Sequence, residues 1–121
     1  MTPRCLSRLI GVHPDLIALT QRAFELSETK FIITEGLRSL SRQRSLVAAG
    51  ASRNLHSKHI IGLAVDVAAL VEGRPRWDWP LYHKINEAYS TASLELAIPY
   101  IWGGSWSSFP DGPHFELKDN P

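Results

Sequence analysis

The sequence is poor in cysteine and in long apolar runs, and each shortage excludes something. One cysteine, Cys5, in 121 residues rules out an internal disulfide and any cysteine-based zinc finger. A bound metal would have to be held by histidine, aspartate or glutamate. No run of about 18 apolar residues occurs, so no segment can cross a bilayer as a helix, and stable membrane insertion is not expected. Near the N-terminus the apolar stretch runs only from Leu9 to Val12, too short for the core of a signal peptide. Internal repeats, low-complexity tracts and linkers are missing too, so one domain over residues 1–121 is expected. With 44% hydrophobic and 21% charged residues, the composition is that of a folded domain.

Net charge is +1, which gives no general argument for nucleic acid, and nucleic acid is not expected as a partner. Acid is absent from one long stretch. Between Glu35 and Asp66 there is none, while Arg38, Arg42, Arg44, Arg53 and Lys58 are all basic. From Val67 onward four basic residues oppose seven acidic ones. Two solvated faces that attract one another account for this split; so does a positive patch drawing in an anionic polymer, for which activity would fall with salt.

Pro14-Asp15 opens a helical pattern, residues 14 to 28, in which Leu16, Leu19, Ala23 and Leu26 recur at spacings of three and four. Phe31 to Thr34 is short and rich in β-branched residues, which predicts a buried strand. Ser39 to Ala49 predicts a second helix, stopped by Gly50. Ala64 to Val71, apolar except for Asp66 and bounded by Gly62 and by Glu72-Gly73-Arg74-Pro75, predicts a central strand. Trp79-Pro80 starts a third helix, striped by Leu81, Ile85, Ala88, Ala92 and Leu96 and ended by Pro99. Two late strands are expected at residues 100–102 and 114–117, separated by a loop. The fold class is α+β, with helices packed on one face of a small, largely antiparallel sheet.

Asp66 is the anomaly, because a carboxylate inside an apolar strand costs several kcal/mol unless a cation or a set of donors compensates it. His59 lies seven residues earlier, and Gly62 between them can take the positive φ that turns the chain, so both side chains can reach one point. Asp111-Gly112-Pro113-His114-Phe115-Glu116 delivers another imidazole at the start of a strand. There, alternation puts His114 and Glu116 on one face and Phe115 and Leu117 on the other. Two histidines and a carboxylate suit Zn²⁺, one per chain, and three protein ligands leave the fourth position for water, as at a catalytic site. Peptide hydrolysis also needs a base and an acid. Asp111, on a Gly-Pro turn three residues before His114, is the candidate. Arg38, which follows the first strand, is the best-placed cation for a developing oxyanion or a substrate carboxylate, although Glu35 offers it a plain ion-pair partner.

Ser57-x-His59-x-x-Gly62-x-Ala64-x-Asp66 together with Asp111-x-x-His114 resembles the zinc peptidases of the D-alanyl-D-alanine carboxypeptidase family, VanX/VanY-like in fold. The likeness extends to Ile33 through Ser39, Arg42-Gln43, Trp102-Gly103-Gly104 and Pro113 through Leu117, so it covers roughly residues 12 to 117. Within that family the chain is most similar to short phage endolysins that act as L-alanyl-D-glutamate endopeptidases. The resemblance implies His59, Asp66 and His114 as zinc ligands, Asp111 as general base and acid, and Arg38 as an electrophilic or substrate-binding residue. Ser57 and Trp106 are expected to contact substrate. One position departs from the family pattern: Ser105 stands where Trp-Gly-Gly-Asp-Trp often has its carboxylate.

These residues predict a zinc endopeptidase that cuts the L-Ala-D-Glu bond of peptidoglycan stem peptides. The expected protein is a monomer, held in the host cytoplasm until lysis and then reaching the periplasm or cell wall, with a holin involved only indirectly and no separate wall-binding domain. The rivals are a D,D-carboxypeptidase or D-Ala-D-Ala dipeptidase, and a non-catalytic zinc-stabilised peptidoglycan-binding module. Duller roles are expected elsewhere: His56 in a solvated loop, His13 at a helix start, His83 on a helix surface and Cys5 inert. Trp77, Trp79 and Trp102 are expected to pack under a helix. For Glu116, a surface salt bridge and an orienting role at the metal site are both open.

Overall fold

The computed structural model describes residues 1–50 and 58–118. In chain order the elements are α1 (Pro3–Arg8), α2 (Pro14–Leu26), β1 (Phe31–Glu35), α3 (Leu40–Ala48), β2 (Ala64–Val71), β3 (Arg74–Arg76), α4 (Trp79–Leu96), β4 (Tyr100–Trp102) and β5 (His114–Leu117). A 3₁₀ turn over Gly103–Ser105 interrupts the loop expected between β4 and β5.

β2 is the axis of the sheet, whose order is β1-β2-β5-β4, with β3 paired to β2 as well. All these pairings are antiparallel, as the sequence predicts. Val65, Val67 and Ala69 of β2 and Phe115 and Leu117 of β5 join one core with Leu16, Leu19 and Ala23 of α2 and Tyr82, Ile85, Tyr89 and Ala92 of α4. The rings of Tyr89 and Phe115 stack at 3.9 Å. Tyr89 also donates to Thr20 Oγ1 (2.9 Å), tying α4 to α2 with a bond that satisfies both buried hydroxyls. α2 begins as expected: His13 is its N-cap, its Nδ1 accepting from the Asp15 amide (3.0 Å), with Pro14 at the first helical position. It ends at Leu26 rather than residue 28, because Ser27 turns extended (ψ 127°) and its hydroxyl donates to the Thr29 carbonyl.

Two elements were not expected. α1 covers the outer edge of β1: the amide of Ile33 approaches Cys5 Sγ at 3.5 Å and its carbonyl accepts from Arg8 Nη1 at 2.8 Å. An edge strand otherwise presents such groups to any passing chain. Buried Cys5 therefore has a packing role. The Glu72-Gly73 stretch is a two-residue hairpin joining β2 to β3, with both residues at positive φ (53° and 76°), the backbone of a type I′ turn.

Candidate metal centre

The alternation of β2 and β5 builds the site. Asp66 and His114 are direct cross-strand partners, and Ala64 faces Glu116 two pairs along. Their side chains stand on the face opposite Val65 and Phe115. His59 arrives from the turn before β2. Gly62 takes φ 73° there, and a Cβ on it would lie 2.4 Å from the Gly11 carbonyl oxygen, so both the backbone angle and the close approach require glycine. The amide of Arg38 donates to the His59 carbonyl (2.9 Å), which ties the segment after β1 to the same turn.

His59, Asp66 and His114 each offer a ligand atom, all within 4.8 Å of one another. His59 Nε2 lies 3.2 Å from Asp66 Oδ1, and His114 Nδ1 lies 3.3 Å from the same oxygen. A tetrahedral zinc with bonds of about 2.0–2.1 Å has ligand-to-ligand edges of roughly 3.3–3.4 Å, close to the two spacings at Asp66. The far side of each ring is anchored. His59 Nδ1 donates to the Gly36 carbonyl (2.9 Å), and His114 Nε2 meets Glu116 Oε1 (2.9 Å). Both anchors turn the other ring nitrogen toward the Asp66 oxygen, and anchoring from behind is what metal-ligating histidines show.

The electrostatics call for positive charge at this point. Burial pushes the Asp66 carboxyl up, but hydrogen bonds from His114 and His59 and their charges hold it well below the usual carboxylate range. Burial lowers His114, and its bonds to Asp66 and Glu116 more than reverse this, pushing it up to about 9. A proton that tightly held marks a place where a cation is favoured. Glu116 is penalised by burial and yet held below its ordinary value by His114 and Lys58. Asp111 moves the other way: burial and the Asp66 carboxylate raise it, against the opposing pull of His114, His59 and Arg38.

The other sequence-predicted residues fall as follows. Asp111 sits beside the centre, its amide bonded to the Gly103 carbonyl (2.9 Å) and its carbonyl accepting from the His114 amide (3.2 Å). Arg38 is buried, and its guanidinium grips Glu35 with two bonds (2.9 and 2.7 Å) while Nη2 reaches Asp66 Oδ2 at 3.4 Å. The pairing with Glu35 and the place at the site are therefore both real. Trp106 lies with its ring 5.0 Å from that of His114. Ser57, with His56 and Arg53, lies outside the described residues. Ser105 donates to the Trp102 carbonyl (2.8 Å) and closes the 3₁₀ turn. Of the tryptophans expected to pack under a helix, Trp102 does, its Nε1 donating to the Gly112 carbonyl (2.7 Å). Trp77, 60% exposed, does not; its ring lies parallel to that of Tyr82 at a centroid distance of 6.2 Å.

Two residues have roles at the centre that the sequence alone does not assign, although Arg42-Gln43 belongs to the family likeness. Gln43 of α3 is buried and accepts from Arg38 Nη1 (2.5 Å); the Arg-x-x-x-x-Gln spacing was its signal. Lys58, counted above as part of a basic patch, instead pairs with Glu116 at 2.7 Å.

A small antiparallel sheet that brings two imidazoles and a carboxylate to one point defines a candidate metal-dependent hydrolase. Comparison with known proteins makes this specific. The phage L-alanyl-D-glutamate peptidase family matches residues 1–118, and the chain belongs to that family. The L-alanyl-D-glutamate peptidase of Escherichia phage T5 is 33% identical over 115 residues, 92% of this chain and 83% of that protein. The crystal structure of the Serratia marcescens L-Ala D-Glu endopeptidase ChiX superposes with a TM-score of 0.91 at 44% identity, covering 97% of this chain and 88% of that one. The D,D-dipeptidase VanXYg shares the fold at a TM-score of 0.57 and 18% identity, over 88% of this chain and 50% of that one.

Proposed function

We propose that the chain is a zinc peptidase that hydrolyses the L-alanyl-D-glutamate bond of peptidoglycan stem peptides. Membership of a family named for that activity supports the substrate. The observation that carries the chemistry is the convergence of His59, Asp66 and His114, each ring held from behind. Bound among these three, zinc would polarise the scissile carbonyl and make water a stronger acid.

The chain's own residues do the rest. Asp111 takes the proton of the attacking water and returns it to the departing D-Glu nitrogen. Its raised affinity for protons suits a group that must both accept and give one, and such a group contributes about 10²- to 10⁴-fold to the rate. Arg38 keeps a fixed positive charge beside Asp66. Four of its N–H directions are taken by Glu35, Gln43 and Asp66, and the guanidinium has a fifth for a substrate oxygen on which charge develops. Trp106 gives the stem peptide an aromatic wall next to His114, and Ser57 is assigned a substrate contact from its place in the signature.

Mass analysis of digested muropeptides tests the reading. Newly exposed D-Glu amino termini should appear, vanish after EDTA treatment and return with zinc. Release of free D-Ala would instead mark a D,D-carboxypeptidase or dipeptidase, and wall binding without clearing of a turbid suspension would mark a non-catalytic module.

A further inference from the structure

Lys58 and Glu116 stand behind the metal centre in a continuous chain of contacts. Lys58 immediately precedes the ligand His59, and Glu116 follows the ligand His114 by two residues, so each belongs to a different ligand-bearing segment. Lys58 Nζ donates to the Leu117 carbonyl (2.8 Å) and pairs with Glu116 Oε2 (2.7 Å). The other oxygen of the same carboxylate, Oε1, meets His114 Nε2 (2.9 Å). The backbone reinforces the arrangement, with Leu63 N bonded to the Lys58 carbonyl (2.9 Å) and Leu117 N to the Leu63 carbonyl (3.0 Å). Glu116 is buried at 8% exposure, in a place where a carboxylate without partners would be costly.

We propose that Lys58 and Glu116 are positioning residues for the metal centre: Lys58 fixes the rotamer of Glu116, and Glu116 fixes the ring and the tautomer of His114. The proposal rests on the zinc reading of the same site. With its proton held on Nε2 by a carboxylate, His114 presents Nδ1 as the lone-pair donor, and the negative charge behind the ring makes that nitrogen a better ligand. The cation acts through that carboxylate: by holding Glu116 it sets the position of His114 before an ion arrives.

Zinc affinity, measured at fixed pH by competition with a chromogenic chelator, tests the relay with no reference to activity. Glu116→Gln keeps the shape and an acceptor but removes the charge, and should weaken zinc binding by about 10- to 100-fold. Lys58→Met should weaken it less, and Lys58→Arg should restore most of the loss. Because the lysine acts through the glutamate, the double variant should be little worse than Glu116→Gln alone. A salt bridge with only a structural role would move the thermal melt of the metal-free chain and leave zinc affinity where it was, and that result overturns the proposal. Fully additive losses overturn the part given to Lys58. Should Glu116→Gln fail to melt cooperatively, Lys58→Met decides, since that side chain lies at the rim: weakened binding supports the relay and unchanged binding overturns it. If the wild-type chain takes up no zinc, the metal-site reading itself falls. If it binds one zinc and Glu116→Gln binds within twofold of it, the relay alone falls.

Discussion

Strands β2 and β5 send alternate residues to opposite faces of the sheet, and the two faces follow opposite rules. Toward the helices, Val65, Val67 and Phe115 are fully buried among apolar side chains, and a ring such as Phe115 contributes roughly 1.5–3 kcal/mol by leaving water. On the other face the same strands carry Asp66, His114 and Glu116, whose removal from water costs several kcal/mol per ion and is offset, among the described residues, by their bonds to one another and to His59, Lys58 and Arg38. His114 and Phe115 are neighbours in sequence with unrelated tasks. A period of two residues lets a reactive centre be built on a rigid support without loosening the core that makes it rigid.

Four substitutions would break or sharpen that contrast. His114→Ala should remove both stoichiometric zinc and all measurable wall lysis; retention of the metal would show that the polar face has been misread. Asp111→Asn should lower turnover by about 10²- to 10⁴-fold with zinc still bound, which metal analysis beside a turbidity assay would check. Phe115→Ala should do the converse, costing about 3–5 kcal/mol in urea unfolding while the folded fraction keeps its zinc affinity. A smaller effect is expected at Ser39, whose hydroxyl accepts from the Arg42 amide at the start of α3 (3.0 Å). Ser39→Ala should cost about 1 kcal/mol of stability and loosen the helix that brings Gln43 to Arg38.

Much of this was legible in the sequence because periodicity and anomaly pointed the same way. An apolar run between turn residues placed β2, alternation set the faces of β5, the 3.6-residue stripe placed α2 and α4, and one acid in an apolar strand exposed the centre. Asp66, His59 and His114 meet as that acid demanded. What stayed illegible was short or distant. α1 has only six residues, too few to show a stripe, although Thr2 before Pro3 carries a helix-start signal, and the Thr2 hydroxyl does accept from the Cys5 amide (3.2 Å). β3 has a proline at its middle position, and its turn uses Glu-Gly where Asn-Gly would have been the stronger cue. The pairing of Lys58 with Glu116 joins residues 58 apart in the chain, and no local pattern reports that distance.

The two imidazoles are tethered by unlike means, His59 to a main-chain oxygen of Gly36 and His114 to a side chain. No codon change deletes a carbonyl, whereas a carboxylate can be exchanged freely. Any change in the metal preference proposed for this site therefore has one adjustable screw, on the His114 side, and a fixed stop on the other.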